Sequence, residues 1–138
     1  MTDYEKQARD FLKRNNARIK ICYNDTICGF PFDKTDNNWH DKYTVTIQRN
    51  GKSYSFPFYN SSYATQRNER PTPYDVLACI EKYVYYGDVW DFSKYYGYEI
   101  YDRESYKTVE RIFKAVNTQA RKINAIFGDC MDELSEIC

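Results

Sequence analysis

Apolar residues recur with a helical period at both ends of the chain and with a two-residue period between them. Tyr4, Ala8, Phe11 and Leu12 form one stripe, which predicts an amphipathic helix from Thr2 to about Arg14. Thr2 and Glu5 have the spacing of a capping box, and Asn15-Asn16 ends the helix. Ala17, Ile19, Ile21 and Tyr23 then alternate with Arg18 and Lys20, the pattern of a half-buried strand. Asn24–Asp41 has no period and predicts a long loop carrying Phe30, Phe32, Trp39 and His40. Loops of that length are uncommon in small domains and are often functional.

Lys42–Tyr59 predicts a hairpin. Tyr43, Val45 and Ile47 face Tyr54, Phe56 and Phe58 across Asn50-Gly51, a type I′ turn signal. Pro57 lacks an N–H and suits an edge strand or a bulge. Asn60–Pro71 is polar and predicts a loop with Arg67, Glu69 and Arg70. In Thr72–Tyr86, Thr72 and Pro73 start a helix whose apolar face is Val76, Leu77, Ile80, Tyr83 and Val84. This helix is the expected centre of the core, with Cys79 beside its apolar face. Gly87 ends it, Asp88 caps a short helix from Val89 to about Tyr96, and Gly97 closes that helix. Asp102 opens the longest helix. Val109, Ile112, Phe113, Val116, Ala120, Ile123 and Phe127 repeat along it every three or four residues. Gly128 is expected to break it and Asp129 to cap a last acidic helix.

The elements describe one α+β domain over residues 1–138. A small antiparallel sheet of about three strands follows the N-terminal helix, and three to four C-terminal helices pack on it. Basic and acidic residues number 20 each, so the net charge is zero. That balance disfavours a general nucleic-acid binder, which carries a basic excess, and a DNA mimic, which carries an acidic one. Local patches survive it, because net charge is blind to distribution. No run of 18 apolar residues and no apolar leader occurs, so a cytoplasmic protein is expected. Five cysteines, in odd number and without metal-framework spacing, fit a reducing compartment.

Aromatic residues reach 18%, with 15 tyrosines, and they crowd into Tyr83–Tyr101. Tyrosine is enriched in recognition surfaces, but it also edges ordinary cores. Helices turn one face to a core, so part of this stretch is expected to meet solvent and a partner. The candidate partner-binding residues are Tyr85, Tyr86, Trp90, Tyr95, Tyr96 and Tyr98, with Trp39 from the loop. The rival reading is a second small core between the short and long helices.

Catalytic chemistry has little to draw on. His40 is the only histidine, and its place in a polar loop predicts that His40→Ala leaves folding intact. Cys22, Cys28 and His40 lack the spacing of common zinc sites. Asp88/Asp91 and Asp129/Asp132/Glu133 are better explained as charge at helix N-termini. Neither a phosphate loop nor H-E-x-x-H is present. The alternation of Tyr54, Phe56 and Phe58 permits base stacking on RNA, but it equally describes a strand facing its core. No catalytic residue, metal or cofactor is expected.

Five segments also carry a resemblance: FLKR (Phe11–Arg14), YTVTIQRNGKSYSFPF (Tyr43–Phe58), PTPYDVLACIEKY (Pro71–Tyr83), DFSKYYGY (Asp91–Tyr98) and ERIFKAV (Glu110–Val116). In these the chain resembles an uncharacterised family of small proteins from phages and mobile elements of gut Firmicutes. The resemblance implies a counter-defence role in a bacterial cell, of the kind played by anti-CRISPR proteins. Its partner would be a host defence complex such as a Cas effector, with nucleic acid contacted only indirectly and no membrane involved. The alternatives are a sponge for a nucleotide immune signal, which needs aromatic stackers and cations in a pocket, and a small RNA-binding or regulatory module. The resemblance carries no functional residue across.

Overall fold

The computed structural model describes residues 2–29, 35–81 and 87–137. Its elements are α1 (Asp3–Arg14), β1 (Ala17–Cys28), β2 (Trp39–Arg49), β3 (Lys52–Tyr59), α2 (Ser62–Gln66), α3 (Pro73–Glu81), α4 (Val89–Tyr96), α5 (Arg103–Phe127) and α6 (Met131–Ile137), with a 3₁₀ turn over Gly128–Cys130. The fold is α+β, a three-stranded antiparallel sheet in the order β1-β2-β3 with helices before and after it.

Local chemistry sets most boundaries. Thr2 and Glu5 close the expected capping box on α1. Asn50 and Gly51 take φ of 51° and 81°, which the type I′ turn between β2 and β3 requires. Pro57 lies on β3, an edge strand, opposite Thr44.

Three boundaries differ from expectation. Asn24–Asp41 is not all loop: β1 runs on to Cys28 and β2 begins at Trp39. A bulge between Tyr23 and Asp25 shifts the register, and Asp25 to Cys28 then pair with Lys42 to Trp39. Gly29 at φ 84° closes this ribbon, donating to the Asn38 carbonyl at 2.7 Å, and a Cβ there would meet the Asp36 carbonyl at 2.6 Å. The polar stretch after β3 contains α2, capped by Ser61. At the third, α5 ends at Phe127 with Gly128 as its C-cap, as expected, but Gly128 stays right-handed at φ −54° and opens a 3₁₀ turn, and Asp129 turns to Arg49 instead of capping α6. Phe30, Phe32, Tyr83 and Val84 lie outside the described residues.

The inner sheet face and the helices bury one core. Phe11 of α1, Val45, Ile47 and Phe56 of the sheet, and Val76, Leu77 and Ile80 of α3 meet Ile123 and Phe127 of α5 and Leu134 of α6. Tyr54 and Phe58 are half-buried against this core, so their alternation serves packing. A second, separate core joins Val89 and Phe92 of α4 to Val109 and Ile112 of α5. At 25 residues, about 37 Å, α5 is long enough to serve both.

Candidate partner-binding surface

α4 is two turns held at both ends. The Asp88 carboxylate accepts from the Asp91 N–H at 2.8 Å, and Gly97 at φ 75° turns the chain in the left-handed region. So short a helix buries one face, here Val89, Phe92 and Ser93. Phe92 is 1% exposed, and its ring contacts those of Tyr96 at 4.8 Å, Phe113 at 5.5 Å and Tyr98 at 5.8 Å. The second-core reading is therefore right for Phe92 and in part for Tyr98, which is half-buried against this cluster.

The other rings face solvent in two groups. Trp90 and Tyr95 are 57% and 67% exposed, and residues five apart on a helix point about 140° from each other. They therefore flank the buried face on opposite sides. On one flank the Tyr95 and Tyr96 rings meet edge-on at 5.1 Å, and Tyr96 continues to Tyr98 at 6.3 Å. On the other, Trp90 lies over Tyr106 at 5.6 Å. Burial first, and then the neighbouring Tyr95, Cys79 and Tyr98, hold the Tyr96 phenol above its ordinary pKa.

Of the residues the sequence singles out, the structure joins Tyr95, Tyr96 and Tyr98. It sets Trp90 on the far flank and leaves Trp39 exposed on the β1–β2 ribbon. Tyr85 and Tyr86 lie outside the described residues. Tyr101, the end of the aromatic stretch, is not among the candidate residues, and Tyr106 lies beyond it. Tyr101 is 79% exposed, and the signal was available: it directly precedes the N-cap Asp102 and so has no helical face to bury.

His40 is not in a loop. It is buried on β2, with Nδ1 2.8 Å from the Asn60 carbonyl and Nε2 2.6 Å from the Asp36 carboxylate. Both neighbours are acceptors, so the ring ties the loop after β1 to the start of the segment after β3. Among the described residues, no three His, Cys, Asp or Glu side chains gather as metal ligands. Asp129 and Glu133 are engaged with Arg49 and Arg14. A cleft of about 380 Å³ has two aromatic walls, Tyr4 and Tyr74, but sets Glu5, Glu69 and Asp75 around one cation, Arg70. Compared with family models, characterised proteins and solved structures, the chain matches none.

Proposed function

We propose that this protein is a non-enzymatic binder that inhibits a bacterial immune effector stoichiometrically, using the Tyr95–Tyr96–Tyr98 flank of α4. The observation that carries the reading is the trio of touching tyrosine rings, two of them exposed, at the C-terminal end of a helix anchored by its own core, with Tyr98 just past the Gly97 cap. Clustered aromatics on a rigid base lose little entropy on binding and make up many interface hot spots. The counter-defence setting comes from the resemblance in Phe11–Val116. The nucleotide-sponge alternative is weaker, because the cleft with aromatic walls carries three carboxylates that would repel a phosphate.

The test is co-expression with a panel of bacterial defence systems, scored by restored phage plating. The Tyr95→Ala/Tyr96→Ala double variant should melt like the parent and fail to restore plating. A double variant that restores plating as well as the parent would refute the surface. Trp90→Ala, on the opposite flank, reports whether binding extends around the helix.

A further inference from the structure

The zero net charge hides a segregated one. Of 20 basic and 20 acidic residues, α5 holds six and two, leaving 14 and 18 for the rest of the chain. The six are Arg103, Lys107, Arg111, Lys114, Arg121 and Lys122. At about 100° per residue all six fall within about 60° of the line opposite the buried Val109, Ile112, Ala120 and Ile123. All six are exposed, and the row extends about 28 Å along the helix. The ion pair described within it is a long one, Lys114 to Glu110 at 3.8 Å. Lys52 of β3 adds a cation at the far end, where its Nζ donates to the Ala125 carbonyl at 3.3 Å.

A solvated helix face ordinarily mixes both signs, because Glu–Lys pairs at i,i+4 stabilise it. Six cations against two acids at the margins is a different composition. Between the cations stand Thr118 and Ala125, with no aromatic or large apolar side chain. A protein interface needs an apolar anchor near its centre, and single-stranded nucleic acid needs rings for its bases to stack on. This row offers neither, and its charges suit a regular polyanion contacted through phosphates alone. The cations also divide. Arg103, Lys114 and Arg121 splay to one side of the line and Arg111 and Lys122 to the other, with Lys107 between. A helix ridge so flanked fits the B-form major groove, about 12 Å wide, and reaches the phosphates of both strands, whereas the A-form groove is too narrow.

We infer that the outer face of α5 binds the backbone of double-stranded DNA without reading its sequence. The surface lies on the side of α5 away from α4, so it is separate from the tyrosine flank and does not depend on the protein-partner reading.

The experiment is fluorescence anisotropy on the full chain with a labelled, mixed-sequence DNA duplex across a salt series. The parent should bind with a Kd of about 10⁻⁶–10⁻⁴ M at physiological salt, and log K should fall linearly with log salt. The Arg111→Gln/Lys114→Gln/Arg121→Gln variant should lose tenfold or more in affinity. Its salt slope should be shallower by about 0.9 for each phosphate contact removed. Lys6→Gln/Arg9→Gln/Lys13→Gln on α1 removes the same charge from another exposed face and should bind like the parent. Thermal melting checks that both triple variants fold. Absence of binding at low salt, equal loss in both triple variants, or tighter binding to single-stranded DNA or an RNA duplex would each overturn the assignment. Tyr95→Ala/Tyr96→Ala should leave DNA binding unchanged, so failure of the tyrosine surface and failure of this one are read separately.

Discussion

Arg49 reaches Asp129 across 80 residues of sequence and joins the end of β2 to the 3₁₀ turn after α5. The two partners differ sharply in burial: the arginine side chain is 10% exposed and the aspartate 73%. The guanidinium also donates from Nε to the Asn15 carbonyl and from Nη1 to the Ile126 carbonyl, both at 2.9 Å. One side chain thus holds the C-terminal ends of α1 and α5 against the sheet.

Arg49→Met should destabilise the protein by about 2–3 kcal/mol, since charged donors to two helix-end carbonyls are lost together. Asp129→Asn should cost clearly less, because both carbonyl contacts survive. Chemical denaturation of the two variants decides it. Equal losses would mean that the ion pair matters and the carbonyl contacts do not.

Stability should fall on the acid side through three carboxylates. Hydrogen bonds from Ser105 to Asp102, from Arg49 to Asp129, and from Arg14 and then Asn15 to Glu133 hold each folded pKa below its ordinary value. A depressed folded pKa gives stability that is present above the unfolded value of about 4 and is lost as pH falls through the folded one. Denaturation midpoints measured from pH 6 to pH 2 should decline most steeply below about 4. An Asp102→Asn/Asp129→Asn/Glu133→Gln variant should show a flatter acid limb, and an unchanged limb would place the cause elsewhere.

The two cores should respond separately. Ile80→Ala empties a site in the main core and should cost about 2–5 kcal/mol, and Phe92→Ala should cost about 3–5 in the smaller one. Amide exchange distinguishes them. Phe92→Ala should speed exchange in α4 and the first half of α5 while β2 stays protected. Uniform acceleration over the whole chain would show one cooperative unit.

His40→Ala should destabilise by about 1–3 kcal/mol, contrary to the tolerance its polar neighbours suggest. The substitution strands the buried Asn60 carbonyl and loosens Asp36. A urea midpoint indistinguishable from the parent's would show that water replaces the ring at no cost.

Where a residue's role is decided by its near neighbours, the sequence was a good guide. Thr2 with Glu5, Asp88, Asn50-Gly51 and Gly97 each act within a few residues, and each takes its expected place. Asn24 to Thr26 mislead because their side chains favour turns, while pairing with β2 across a bulge holds them extended. Asp129 misleads for a similar reason: a helix-capping residue type is claimed by Arg49, far away in sequence. The aromatic stretch announced that it was special, but helical period could not separate the core ring Phe92 from Tyr96, which stands only about 40° from it and is 44% exposed in the last residue of α4. The cations of α5 had a readable period, and whole-chain neutrality concealed it.

The ties between α1 and α6 have a bearing on how the protein is made. Arg14 binds Glu133 across 119 residues, and Leu134 completes a core that Phe11 begins. On a ribosome the hairpin of β2 and β3 and the pair of α4 and α5 can form from contacts near in sequence. The sides of α1 and α3 that α6 covers must stay open until that helix emerges. A nascent chain halted before Met131 would therefore leave the place of Leu134 beside α1 and α3 open to chaperones, and loss of α6 should harm yield more than its seven residues suggest.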